Sequence, residues 1–311
     1  MTRHGYNFTH GAALTASYRS WGIAFALAGV LCFSLRPILI KLSYAAAPVT
    51  PTTLLFLRMA ISLPFFAVVG FALRRNEPRL RGRDWAAVAG LGFLGYYAAS
   101  FLDFIGLQYV GAGVGRLILF LYPMLVLTLS FFFLHKVPTR REVAALVVSY
   151  AGIALVVSDQ IGTSGEGKLF LLGVLLVFAS ALCYAAYLVA GSQIVKRVGS
   201  MRFTAYSMAV ATVPALVQFF VMEPPGALAL PASVWVYAVI LATVSTVLPL
   251  FLQAEALRRI GATEFALVGA VSPVSVAVMS ALGLGEPFGP RQMTGAALVI
   301  GGVLLVSLKR S

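Results

Sequence analysis

The sequence predicts an all-α integral membrane protein, with ten transmembrane helices in two inverted five-helix repeats and both termini in the cytoplasm. Three observations carry this expectation. Sixty per cent of the 311 residues are hydrophobic and 11% are charged, against roughly 45–50% and about 25% in soluble domains. Many apolar runs approach the roughly 20 residues a helix needs to cross hydrocarbon, without the alternation of a β-barrel. The chain also resembles itself when shifted by 150 residues.

Residues 1–20 are polar and read as a cytoplasmic tail. The apolar run from Trp21 is too long for a signal-peptide core and lacks a small-residue cleavage pattern, so it is expected to remain as the first span, 21–43. Spans at 52–73, 85–107, 111–133 and 140–157 complete a first repeat, 21–157. An external loop, 158–168, follows. Spans at 169–190, 203–221, 234–254, 262–283 and 290–308 form the second repeat, 169–308, before a short cytoplasmic tail, 309–311.

The Lys/Arg bias of the short loops sets the orientation. With both ends inside, 17 of the 23 cations lie on the cytoplasmic side, most densely at Arg74, Arg75, Arg79, Arg81 and Arg83. Lys168 and Arg291 lie outside, and Arg36, Lys41, Arg58 and Arg116 lie within spans. The formal charge of +13 therefore reflects topology in a lipid bilayer, and no nucleic-acid partner is expected. Cys32 and Cys183 sit in apolar segments and the three histidines share no ligand spacing, so neither a disulfide framework nor a metal site is predicted.

At a shift of 150, Trp85 falls on Trp235, Gly111-Ala112 on Gly261-Ala262, Pro64 on Pro214, Pro123 on Pro273, Arg141 on Arg291 and Gly152 on Gly302; at 151, Gly22 falls on Gly173 and Cys32 on Cys183. Each unit holds five spans, so the second enters the membrane from the opposite side. Inverted repeats are a transporter architecture: two like halves packed in opposite senses supply two states of similar energy, with substrate near the midplane. Pro37, Pro64, Pro123, Pro214, Pro249 and Pro273 mark kinks, each removing a backbone donor and freeing a carbonyl. A single proline can simply bend a packed helix. Recurrence at one depth in both halves points to a shared site.

The stretch "GAGVGRLILFLYPMLVLTLSFFFLHKVPTRREVAALVVSYAGIALVV", echoed by "GATEFALVGAVSPVSVAVMSALGLGEPFGPRQMTGAALVIGGVLLVSL", resembles the EamA-type branch of the drug/metabolite transporter superfamily over nearly the whole chain. The second copy matches the family's acidic turn and amphipathic start through Glu286, Gln292 and Gly295; the first carries Lys136 and Glu142 instead. Within the branch the chain looks most like bacterial aromatic amino-acid exporters. The resemblance implies a multi-pass inner-membrane carrier, not an enzyme, that exports amino acids or similar metabolites by alternating access, acts as a monomer and holds no cofactor. Carriers of sugar phosphates, of nucleotide sugars, or of drugs and other metabolites share the fold and remain the alternative.

An amino acid needs partners for its carboxylate and ammonium and a surface for its side chain. Tyr96, Tyr97, Tyr122, Tyr184 and Tyr187 lie at depth, where a ring can stack and a hydroxyl needs a hydrogen bond. Ser34, Ser100, Ser245, Gln253 and Ser272 are further mid-span candidates, although Ser often bonds only its own helix. Arg36, Arg58, Asp103 and Arg116 belong to four spans of the first repeat and fall in the outer half of the membrane. A deep Arg costs roughly 2.5–3.5 kcal/mol, so these residues are expected to line an outer vestibule or gate in which Asp103 pairs with an arginine. Lys41, close to the boundary, is expected to snorkel, and Glu255 and Glu264 to pair with Arg258 and Arg259.

Overall fold

In the computed structural model, residues 8–74, 80–135, 137–163, 167–286 and 289–307 are described. Among them lie ten helical segments: α1 (Phe8–Ala46), α2 (Pro51–Arg74), α3 (Gly82–Gly106), α4 (Ala112–Leu134), α5 (Arg140–Thr163), α6 (Gly167–Val198), α7 (Ser200–Met222), α8 (Ala232–Gly261), α9 (Leu267–Leu284) and α10 (Pro290–Ser307). The first nine contain stretches long and apolar enough to cross a membrane, while the apolar part of α10, Pro290–Val306, is shorter. Helix extends further than hydropathy alone indicates. Residues 8–20 continue α1, and α5 and α6 take up most of 158–168.

The polarity of the bundle is inside-out. Phe133, Phe220 and Leu282 are 72%, 74% and 85% exposed, whereas Arg58 and Asp103 are 3% and 2% exposed. In water that arrangement would be unfavourable on both counts; in hydrocarbon it places apolar rings in lipid and keeps charge among protein partners.

The 150-residue offset recurs in local structure. A π-helical turn interrupts α3 at Phe93–Ala98 and α8 at Thr243–Val247. Turns at Phe120-Leu121 and Ala270-Val271 break α4 and α9 just ahead of Pro123 and Pro273. Pro249 alone does not explain the bulge in α8, because the first copy forms the same bulge with Ala99 at the equivalent position. Glu142 accepts from the Thr139 amide at 2.7 Å and Gln292 from the Gly289 amide at 3.3 Å, so the two residues cap their helices alike despite their different chemistry. Lys136, the counterpart of Glu286, lies outside the described residues.

Packing follows the same exchange. α2 packs on α7 and α5 on α10; α1 packs on α8 and α9 as α6 packs on α3 and α4. Gly22 sits against Arg259 and Ile260, and Gly173 against Tyr109 and Val110, which is the same contact counted through the offset. His135 and Gly285 both end helices in the left-handed region, at φ 51 and 65. Gly285→Ala is therefore expected to cost about 1 kcal/mol. His135→Gly should be neutral to within about 0.5 kcal/mol, since relief of strain is offset by glycine's freedom in the unfolded chain. Melting temperatures in detergent check both.

Candidate functional site

The π-helical turns fall where the halves meet. In α8, Ser245 and Thr246 donate their hydroxyls to the Leu241 carbonyl at 3.0 and 2.7 Å. Thr246 Oγ1 then accepts from Arg58 Nε at 3.1 Å. Arg58 Nη1 donates to Ser100 Oγ at 2.9 Å, and the same oxygen accepts from Arg36 Nη2 at 3.2 Å. Arg36 Nη2 also lies 3.4 Å from Asp103 Oδ2. Asp103 thus meets an arginine as expected, but loosely.

Arg116 donates to Ser272 Oγ through Nε at 2.9 Å and Nη2 at 2.6 Å. Ser34 donates to Val30's carbonyl and lies 3.1 Å from Ser272 Oγ, so it takes Ser272's proton. Phe33 is shared by the guanidiniums of Arg36 and Arg116, at 5.9 and 4.9 Å, and Phe104 by those of Arg36 and Arg58, at 5.7 and 5.8 Å. Ring faces and hydroxyls offset part of the cost of dehydrating three cations near one another. One carboxylate, Asp103, stands against three guanidiniums, leaving a surplus of positive charge.

An aromatic group adjoins this cationic one. Tyr187 donates to Tyr96 at 3.2 Å, and rings pack in the order Tyr122, Tyr184, Tyr187, Phe203, with centroids 5.5, 5.9 and 5.4 Å apart. Gly95 permits this, because a Cβ there would overlap the Tyr187 ring. The two groups are repeat counterparts. Tyr96 corresponds to Thr246, Tyr122 to Ser272, Tyr184 to Phe33 and Tyr187 to Arg36. One junction therefore has a cationic, hydroxyl-rich end and a phenolic end at equivalent positions.

Not every candidate belongs to it. Tyr97 points elsewhere, donating to Gln218 at 2.8 Å and packing between Phe93 and Phe101. Gln253 lies against Gly29 where α1 crosses α8, and Ser245 spends its hydroxyl on its own helix. Pro37, Pro249 and Pro273 are buried near the junction's helices; Pro64 is exposed and Pro214 half-buried. Phe33, Phe104 and Phe203 were not singled out from sequence, because isolated phenylalanines in membrane helices are indistinguishable from lipid-facing ones.

Lys41, expected to snorkel, meets protein partners at its end of the bundle. Its Nζ donates to the Val110 carbonyl at 2.8 Å and lies 3.2 Å from Glu286 Oε1, while Glu286 Oε2 accepts from the Ala112 amide at 2.8 Å. One carboxylate thus caps α4 and ties it to α1 and to the α9–α10 connection. A cavity of about 270 Å³ bordered by Lys41, Tyr44, Leu107 and Gln108 lies at this end. Glu286→Ala is expected to cost about 1 kcal/mol by removing the cap, and Glu286→Gln less, read as detergent melting temperatures. Glu255 pairs with Arg258 and Arg259, both at 2.7 Å, as expected, whereas Glu264 pairs with Arg19.

Apolar exterior, internally duplicated helices and a polar junction between the copies fit a multi-pass membrane transporter. Residues 20–158 and 171–308 each match the EamA-like transporter family, and the chain belongs to that family, within the drug/metabolite transporter superfamily. It is 30% identical over 294 residues to the uncharacterized transporter YcbK of Bacillus subtilis, covering 92% of this chain and 91% of that one. It is 27% identical over 268 residues, 80% of this chain and 82% of the other, to a Streptantibioticus cattleyicolor protein named a probable terminal-alkyne amino-acid exporter. A solved crystal structure with 19% identity superposes with a TM-score of 0.62 over 93% of this chain and 97% of the other, which shows the fold alone.

Proposed function

We propose that the chain is a secondary carrier of the bacterial inner membrane that exports amino acids, aromatic ones included, by alternating access between two inverted five-span halves. The observation that carries this is the two-ended junction: guanidiniums at one end for a carboxylate, tyrosine rings at the other for an apolar side chain. An odd number of spans per half inverts the copies, α10 serves as the tenth span, and the loop cations support a cytoplasmic position for both termini. The Streptantibioticus cattleyicolor relative named for amino-acid export agrees. The carrier works as a monomer in the bilayer with no cofactor, and the vestibule lies at the Arg36, Arg58, Asp103, Arg116 end.

A second reading, transport of sugar phosphates or nucleotide sugars, is favoured by one fact: three guanidiniums face a single carboxylate. Purified protein in liposomes decides. Counterflow of labelled amino acids, with sugar phosphates inert, supports the first reading. Counterflow of sugar phosphates with no amino acid carried overturns it.

A further inference from the structure

The Arg36–Asp103 contact is half made. A good arginine–carboxylate pair is a two-pronged fork at about 2.7–2.9 Å, yet here one prong reaches 3.4 Å and the other is missing. Arg36 Nε and Asp103 Oδ1 are both buried without a hydrogen-bond partner. On a guanidinium, Nε–H and one Nη2–H lie along one edge, so the unmet donor sits on the edge that includes the nitrogen nearest Asp103, and the fork of this pair has a gap on each partner. The side chains are enclosed, 14% exposed for Arg36 and 3% for Asp103. Leaving a buried polar group unmet costs about 1–3 kcal/mol, and more when it is charged.

The neighbours prevent the pair from simply closing. Arg36 Nη2 is drawn to Ser100, which Arg58 also holds, and the Arg36 guanidinium lies near the rings of Phe33 and Phe104. Asp103 is also subject to the charges of Arg58 and Arg116. What the gap lacks is one acceptor for Arg36 Nε and one donor for Asp103 Oδ1, adjacent to each other. A free α-amino acid supplies both on neighbouring atoms.

We propose that this gap binds the head group of a zwitterionic α-amino acid, its carboxylate on Arg36 and its ammonium on Asp103, with the side chain directed to the tyrosines. This rests on the amino-acid reading above and narrows it: free amine and free carboxylate are both required. Acids lacking the amine deprive Asp103 of an ionic partner, and amides lacking the carboxylate deprive Arg36 of one beside a surplus of positive charge. Sites built around such hydrogen bonds discriminate strongly against analogues that lack them.

The test is competition in wild-type proteoliposomes exchanging labelled phenylalanine, or whichever standard amino acid exchanges fastest. N-acetylphenylalanine, phenylalaninamide and 3-phenyllactate are the competitors. Each is expected to compete at least about tenfold more weakly than phenylalanine. In Asp103→Asn the advantage of phenylalanine over 3-phenyllactate should shrink several-fold, because the carboxylate contact remains and the ionic partner of the ammonium is gone. Equal competition by N-acetylphenylalanine or 3-phenyllactate in the wild type overturns the head-group assignment while leaving amino-acid transport standing. Absence of any amino-acid exchange overturns both.

Discussion

Replacing Asp103 by alanine is expected to lower the stability of the detergent-solubilised carrier by about 3–5 kcal/mol, the usual cost of breaking a buried ion pair from one side, and to abolish counterflow. The size of the effect follows from the census of charge. Arg36, Arg58 and Arg116 all act on this one buried carboxylate, and hydroxyls, although they accept hydrogen bonds, carry no compensating charge. A second substitution separates charge balance from transport. Arg36→Met in the Asp103→Ala background removes one of the uncompensated cations and should recover most of the lost stability, while counterflow stays absent because both unmet atoms are gone. A single Asp103→Ala variant that melts with the wild type would show that the arginines find their compensation elsewhere.

The other large effect is expected far from any charge. Where α5 crosses α10, a Cβ on Gly152 would meet the Gly295 carbonyl at 2.7 Å and one on Gly295 would meet the Gly152 carbonyl at 2.6 Å, while one on Gly302 would meet the Ala145 carbonyl at 2.8 Å. The helices touch backbone to backbone, as small residues allow in membranes. Gly301, on the same helix, has nothing within 4 Å. Gly295→Ala is therefore expected to cost about 2–3 kcal/mol by overpacking, and Gly301→Ala to be neutral or slightly stabilising, since alanine is the better helix former. Equal melting temperatures for the two variants would mean that the crossing can open without penalty.

Span positions were legible because hydropathy over 20 residues is a strong signal, and the repeat because Trp, Gly and Pro coincide at a fixed offset. The grouping of Arg36, Arg58, Asp103 and Arg116 was legible for a similar reason: charge at depth needs company. Depth, however, says nothing about the direction in which a side chain leaves its helix. Tyr97 and Gln253 have the right depth and the wrong azimuth, and the π-helical turns shift that azimuth with no residue to announce them. The offset itself adds weight to the hydroxyl partners. Thr246 and Ser272 are the counterparts of Tyr96 and Tyr122, so two tyrosines suspected on one side mark their equivalents on the other. Lys41's partner, Glu286, was not legible because it is 245 residues away and close to it only once folded.

The shared π-helical turns bear on the order in which this molecule was assembled. A widened turn at the same place in both α3 and α8 is what copying of a single bent half would leave. Pro249 sits beside one bulge and not the other, so the bend does not depend on it. The intramembrane arginines and the aspartate are likewise confined to one copy. The bent scaffold is common to the two copies, whereas the chemistry that distinguishes its two ends is not.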